Sequence, residues 1–297
     1  MSGSFLQGEK MKKKLGFWVF VLPTLIPFII VVLIPAIMGF YYALTDWNGV
    51  GASANFVGLE NFKFIFTKDP DFVISFIRTI FFSLACIIVI NVIAFMLALL
   101  VTQKIKGSNF MRSAFFVPNL IGGLLLGFIW KFIFTQVFDA FGKTIGVKFL
   151  KGWLSTPTTA MVALVIVVTW QLAGYMMLIY IAQLQNISDS VLEASLIDGA
   201  NGWHRLKSIT LPLCRPAFTT CLFLTISNTF KLYDQNLSLT NGGPYGKSEL
   251  VALNIYNTAF NYSFMGRAQA KAIIFLIVII IVSVTQLSIS KRGEVEL

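Results

Sequence analysis

Thr79–Gln103 reads TIFFSLACIIVINVIAFMLALLVTQ, an unbroken run without a charged residue. Such a run is long enough to cross a bilayer as a helix, because about 20 apolar residues span the hydrocarbon. Working outward, comparable runs occur at Leu15–Thr45, Ser113–Trp130, Thr158–Leu184, Leu213–Tyr233 and Ala272–Ser290. The fifth carries Arg215 and Lys231 near its ends, where long side chains can snorkel. The first follows Lys10, Lys12, Lys13 and Lys14. It is too long for a signal peptide and lacks a small-residue cleavage site, so it reads as an uncleaved span with Pro35 as a candidate break. Met11 is a second candidate start.

Composition supports a membrane protein and removes whole classes of function. Of 297 residues, 57% are hydrophobic and only 12% charged, against roughly 25% charged in globular proteins. Mean hydropathy is +0.79. A soluble domain of this length could not hide so much apolar surface. His204 is the sole histidine, which removes His clusters for metal and leaves a Ser/His/Asp triad dependent on one residue. Cys86, Cys214 and Cys221 form no CxxC pair and lie in or beside apolar segments, so neither a zinc knuckle nor a disulfide is expected. The formal charge of +10 fits Lys and Arg flanking spans and meeting anionic headgroups better than nucleic acid.

The expected fold is all-α: a polytopic integral membrane protein with six transmembrane helices. The expected layout is an N-terminal tail at 1–14, a membrane domain at 15–290 with an inner loop at 185–212, and a tail at 291–297. With the N-terminus inside, 12 basic residues fall on the inner side and 11 outside, so the global count decides almost nothing. The Lys12–Lys14 run beside the first span favours both ends inside. The segments Asp46–Arg78, Thr135–Pro157 and Asp234–Lys271 then lie outside, and none is long enough for a separate domain.

The inner loop carries the most information. Ser190-Val191-Leu192-Glu193 has the pattern of a capping box opening a short helix, with Leu192 and Leu196 on one face. Gly199 is placed to end that helix in a left-handed conformation. A second amphipathic piece, Trp203–Ser208, leads to Ile209-Thr210-Leu211-Pro212. A capped helix with an apolar stripe in a water-facing loop needs something to pack on: its own bundle, the lipid surface or a partner protein.

Glu193-Ala194-Ser195, three residues, Gly199, nine residues and Ile209-Thr210-Leu211-Pro212 resemble the EAA loop of ATP-binding-cassette importer permeases, with Ser195 in place of the second Ala. Asp198-Gly199-Ala200 extends the match. Further stretches resemble the maltose and oligosaccharide importers: Phe56–Phe62, Arg112 with Phe116-Val117-Pro118, Trp130-Lys131-Phe132, and Phe230–Asp234. Thr240-Asn241-Gly242-Gly243-Pro244 resembles the first of the two permease subunits in such transporters. The resemblance implies a type I importer permease fold, a cytoplasmic coupling helix that docks on an ATPase, and hence the inside orientation of both ends. It implies a non-catalytic, multi-pass subunit of a bacterial or archaeal cytoplasmic membrane. Its implied partners are a second permease, an ATPase dimer and an extracytoplasmic sugar-binding protein, with ATP and Mg held by the ATPase and no cofactor on this chain. The implied coupling residues are Glu193, Ala194, Ser195, Asp198, Gly199, Ala200, Leu211 and Pro212. For Glu193 an ionic contact with the ATPase is favoured over capping alone; for Gly199 helix termination suffices. His204 reads as a solvated loop residue.

Polar residues inside spans are functional candidates in lipid. Gln171 and Tyr175 are four apart on the fourth span; Thr225, Asn228 and Thr229 share a face of the fifth. Amide, hydroxyl and aromatic groups suit sugars, and in the resembled importers these two spans line the sugar site. Interhelical hydrogen bonding is an equal alternative at each position, and Asn91 is expected to serve as such a bond. The substrate stays open among a disaccharide, a longer oligosaccharide and a polyol phosphate. Asn241–Ser248 nearly spells a P-loop but has Asn241 at the first glycine position and Pro244 in the cradle, so it reads as a turn. A secondary transporter is the competing function, disfavoured by span centres without acids or His; a membrane hydrolase would lack a nucleophile–base set.

Overall fold

The computed structural model describes residues 17–51, 53–103 and 106–291. The Lys10–Lys14 region with Met11, Lys104, and the tails at 1–14 and 292–297 lie outside them. Among the described residues five helices are long and apolar enough to cross a membrane, and a sixth span results if one bent pair counts as one. The chain divides into two compact units: residues up to Ile65 with Thr258–Ile273, and Phe66–Asn257 with the segment from Ile274 onward.

In the first unit, α1 (Phe17–Ala43) runs without interruption past Pro35. The expected break is replaced by a wide π turn at Ile29–Leu33, with Ile34 N–H donating to the Ile29 carbonyl. A π turn re-registers the hydrogen-bond ladder where proline cannot donate. The chain then folds back through an isolated bridge between Thr45 and Phe56. Buried Asn61 fixes this turn, its side-chain amide donating to the carbonyls of Ala43 (2.9 Å) and Thr45 (2.8 Å). Asp46 accepts from the Asn55 side chain and backbone, which holds its carboxyl below the usual carboxylate range. The Arg267 guanidinium lies over the rings of Phe64 (3.9 Å) and Phe264 (4.5 Å).

The second unit is the packed bundle. After α2 (Glu60–Lys68), which begins in the first unit, come α3 (Pro70–Thr102), α4 (Ser108–Phe116), α5 (Gly123–Thr144) and α6 (Pro157–Gln185). They continue into α7 (Asp189–Ile197), α8 (Gly202–Leu213), α9 (Arg215–Phe230) and α10 (Val251–Tyr256), and α11 (Met265–Lys291), which begins in the first unit, ends the described chain. Helix starts follow local chemistry: Asp69 caps α3 by accepting from Phe72 N–H, and Thr156 caps α6 ahead of Pro157 by accepting from Thr159 N–H. α8 and α9 meet at 66° and form the bent pair.

The third span is displaced from its expected position at 113–130: the crossing helix is α5, which extends to Thr144 through residues expected in an outer loop. The apolar run straddles a real break. Pro118 sits in a 3₁₀ turn at Val117–Leu120, Ile121 is extended, and α5 starts afresh at Gly123. Hydropathy is blind to this proline–glycine punctuation.

α3, α6 and α9 make the core, with Phe82, Ile90, Leu164, Met176, Tyr180 and Cys221 buried between them. Phe95, Tyr180 and Phe218 form an aromatic cluster with ring centroids 4.8–5.4 Å apart. Asn91 ties three helices together: Tyr180 Oη donates to its Oδ1 (2.8 Å), and its Nδ2 donates to Ile87 O (2.8 Å) and Thr225 Oγ1 (3.4 Å). Asn91 thus has the interhelical role expected of it, in surroundings where such bonds average about 0.6 kcal/mol.

Candidate functional site

The inner loop folds by local rules. Ser188, not Ser190, caps α7: its hydroxyl accepts from Ser190 N–H (3.3 Å), and the backbone at Ser188 is extended while Ser190 is already helical. The expected capping box is therefore corrected by two residues. Both serines are competent caps, and the S-x-x-E pattern matches the second one by coincidence of spacing. Glu193 consequently stands exposed inside the helix.

The end of α7 is a Schellman motif: Ala200 N–H donates to Ser195 O (2.9 Å), Gly199 N–H to Leu196 O (3.1 Å), and Gly199 has φ +77°. Ser195 is buried and its hydroxyl donates to Leu192 O (2.6 Å), so the hydroxyl is consumed locally. Asn201 caps α8 by accepting from His204 N–H (2.8 Å), and His204 is exposed.

Leu192 and Leu211 pack against the core, and Gln183 Nε2 donates to Leu213 O (2.9 Å), which ties both ends of the loop to the bundle. Leu196, Ile197 and Trp203 remain uncovered, at 56%, 87% and 72% exposure. The single apolar face expected for Leu192 and Leu196 is divided: one side chain turns inward and the other out. Ala194, Asp198 and Gly199 are exposed alongside them, while Ala200 and Pro212 are half-buried.

A cavity of about 410 Å³ opens beside the end of α9 and is lined mainly by polar groups. Gln171 and Asn228, two of the expected path residues, belong to its wall. Gln171 is held on both sides: its Nε2 donates to Ile121 O (3.1 Å) and its Oε1 accepts from Gln235 Nε2 (2.5 Å). Asn228 is exposed and donates to Leu224 O (2.8 Å) within its own helix.

Tyr175, Thr225 and Thr229 are not part of this wall. Tyr175 packs on the hydrophobic core. Thr225 and Thr229 are fully buried, and their hydroxyls donate to the carbonyls four residues back, Cys221 (2.7 Å) and Thr225 (2.8 Å). Helical spacing gives lining residues and helix–helix contacts the same signature, which is why the sequence pattern groups them together.

The sequence reading missed Asn119, Ser227, Lys231, Tyr233, Asp234 and Gln235 in the cavity wall. Lys231, expected near a span end, directly follows α9 and also lines the cavity. The available signal was the cluster Asp234-Gln235-Asn236 directly after an apolar span, which an ordinary outer loop does not require.

Close packing holds this wall in place. A Cβ on Gly127 would collide with the Ser238 side chain and come within 3.2 Å of Leu239 N, so bare backbone lets α5 lie against the π turn at Asn236–Thr240. Asn236 in turn locks the following loop: its Nδ2 donates to Ser248 O (2.8 Å) and its Oδ1 accepts from Leu250 N–H (2.9 Å). The Asn241–Ser248 stretch is this turn, with no strand before it.

The family model of the binding-protein-dependent transport system inner membrane component matches residues 90–293. The probable starch degradation products transport system permease protein AmyD of Thermoanaerobacterium thermosulfurigenes is 50% identical over 286 residues, covering 96% of this chain and 97% of the relative. The multiple sugar-binding transport system permease protein MsmF of Streptococcus mutans is 33% identical over 97% of this chain and 99% of the relative. Among solved structures, a bacterial ABC transporter involved in import of the acidic polysaccharide alginate matches with TM-score 0.84 at 19% identity, over 96% of this chain and 98% of that one. A bacterial alginate ABC transporter in complex with an alginate pentasaccharide-bound periplasmic protein matches with TM-score 0.82 at 18% identity, over 96% of each chain. At that identity the likeness is one of fold. The chain belongs to the family of binding-protein-dependent transport system inner membrane components, and is a non-catalytic, membrane-embedded permease subunit of the ABC importer type.

Proposed function

We propose that this permease forms half of the translocation path of an ATP-driven importer of di- or oligosaccharides, as the first of two permease subunits. The observation that carries this reading is the polar cavity beside α9, an amide-rich hollow in a bundle of otherwise apolar helices. Sugars are recognised by hydrogen bonds to their hydroxyls, and an amide can both donate and accept such bonds. The names of the starch-product and multiple-sugar relatives point the same way.

The coupling surface is the loop from Glu193 to Pro212. Exposed Glu193, Ala194, Asp198 and Gly199 with Leu196, Ile197 and Trp203 offer charge and apolar area on one preformed segment. An ATPase dimer carrying ATP and Mg is the partner that fits such a surface; Ser195, Ala200, Leu211 and Pro212 shape it from behind. A second permease and an extracytoplasmic sugar-binding protein complete the assembly, in a cytoplasmic membrane with both termini inside.

The deciding experiment reconstitutes the complete transporter in proteoliposomes and measures ATP-dependent uptake of labelled maltooligosaccharides delivered by the cognate binding protein. Uptake that disappears in Glu193→Ala, while sugar still occupies the cavity, supports the reading. Uptake that proceeds without ATP overturns it.

A further inference from the structure

We propose that this cavity selects uncharged glycans over acidic ones, and that Lys231 and Asp234 set the selection; the inference rests on the cavity being the sugar path. These are its two charged wall residues, both exposed, and they follow the end of α9 within four positions. Their formal charges cancel. The other polar groups of the wall, among them Asn119, Gln171, Asn228 and Gln235, are neutral amides and hydroxyls. An amide both donates and accepts, which is the requirement a sugar hydroxyl makes of its partner. A carboxylate or phosphate brought out of water needs charge-assisted donors, best supplied by the fork of an arginine. Among the described residues no arginine lines this wall.

Asp234 is the group that excludes an anion. A Cβ built on Gly123 would lie 2.7 Å from Asp234 Cβ and 3.0 Å from its Oδ2, so the bare backbone at the start of α5 is what makes room for this side chain. Gly122 offers no side-chain cap to that helix. The carboxylate thus stands against a first turn whose unshared N–H groups favour negative charge. With that first turn already facing Asp234, an incoming anion meets a like charge there, while the Lys231 ammonium, on a mobile four-carbon stem, stays well hydrated.

The test uses Ser227→Cys, which places a thiol in the cavity wall. The three native cysteines of this chain are buried and give little background. In the assembled transporter, alkylation of this chain by uncharged N-ethylmaleimide is followed by mass spectrometry in the presence of maltopentaose or pentagalacturonate. Maltopentaose is expected to protect Cys introduced at this position at about tenfold lower concentration than pentagalacturonate, the scale of one screened charge interaction. Adding Asp234→Asn should narrow that gap to about threefold or less, and adding Lys231→Gln should widen it. Equal or better protection by the uronide, or both variants shifting the gap in one direction, overturns the selectivity while leaving a sugar path. Protection by neither glycan overturns the selectivity and the sugar path together.

Discussion

The inner loop and the polar cavity belong to one compact unit, yet they are held together by contacts of different range. The loop closes on itself: Ser188 to Ser190, Ala200 to Ser195 and Asn201 to His204 are bonds between residues two to five positions apart. The cavity wall is assembled from afar: Gln171 reaches Ile121 across 50 positions and Gln235 across 64. Bonds of the first kind let a segment keep its shape while the spans move, as the proposed docking role requires. A wall of the second kind exists only while α5, α6 and the segment after α9 stay packed, so it can change shape when they shift.

The largest effect that sharpens this contrast is Gly127→Val. The added side chain must displace Ser238 and the π turn behind it, and overpacking of that sort costs about 1–3 kcal/mol. Folded yield, thermal midpoint and sugar protection of the cavity should all fall, while an antibody or cross-link specific for the α7 loop still recognises it. A Gly127→Val protein with normal stability and uptake would break the claim that the wall depends on this close approach. Gly199→Val is next. Open space surrounds Gly199, so the cost is the left-handed backbone alone, about 1–2 kcal/mol for a residue with a Cβ. Sugar protection should persist here, whereas ATP-driven uptake is lost.

Smaller effects separate shape from contact within the loop. Ser188→Ala removes the cap of α7, worth about 1 kcal/mol, and should loosen the loop in hydrogen exchange with a partial loss of uptake. Glu193→Ala removes an exposed side chain that caps nothing, and such surface changes stay within about 0.5 kcal/mol of stability. Its hydrogen exchange should match the parent, yet sugar-stimulated ATP hydrolysis should collapse if Glu193 meets the ATPase. Unchanged hydrolysis in Glu193→Ala would remove that contact from the coupling surface.

Legibility in the sequence follows the same division by range. The left-handed Gly199 and the helix start at Pro157 can be read from neighbours, because caps and proline positions obey rules written within a few residues. Even there, two serines two positions apart left the cap ambiguous, and only backbone conformation decides between Ser188 and Ser190. The spans were visible as apolar runs, but the third was placed too early because hydropathy does not register Pro118 and Gly122. The cavity was half legible. Gln171 and Asn228 stand out as amides in apolar helices; Lys231, Asp234 and Gln235 do not, and the last two owe their placement in the wall to α5 pressing Gly123 against them.

The smallest prediction tests whether lining and interhelical residues differ at all. Asn228→Ala removes an exposed cavity amide, and losing one neutral hydrogen bond costs about 0.5–1.5 kcal/mol, roughly threefold to tenfold in affinity. Thr225→Val keeps the shape of a fully buried side chain, and removes its bond to Cys221 O and the long contact from Asn91. Interhelical bonds in a membrane average about 0.6 kcal/mol, so this change should lower the thermal midpoint slightly. Its sugar affinity should equal that of the parent, because the hydroxyl never faced the cavity. Uptake measured across sugar concentrations then gives a raised half-saturation for Asn228→Ala and an unchanged one for Thr225→Val. Equal shifts in both variants would mean that the node around Asn91 and the cavity wall move as one, and that packing between α3 and α9 tunes sugar binding from behind the wall.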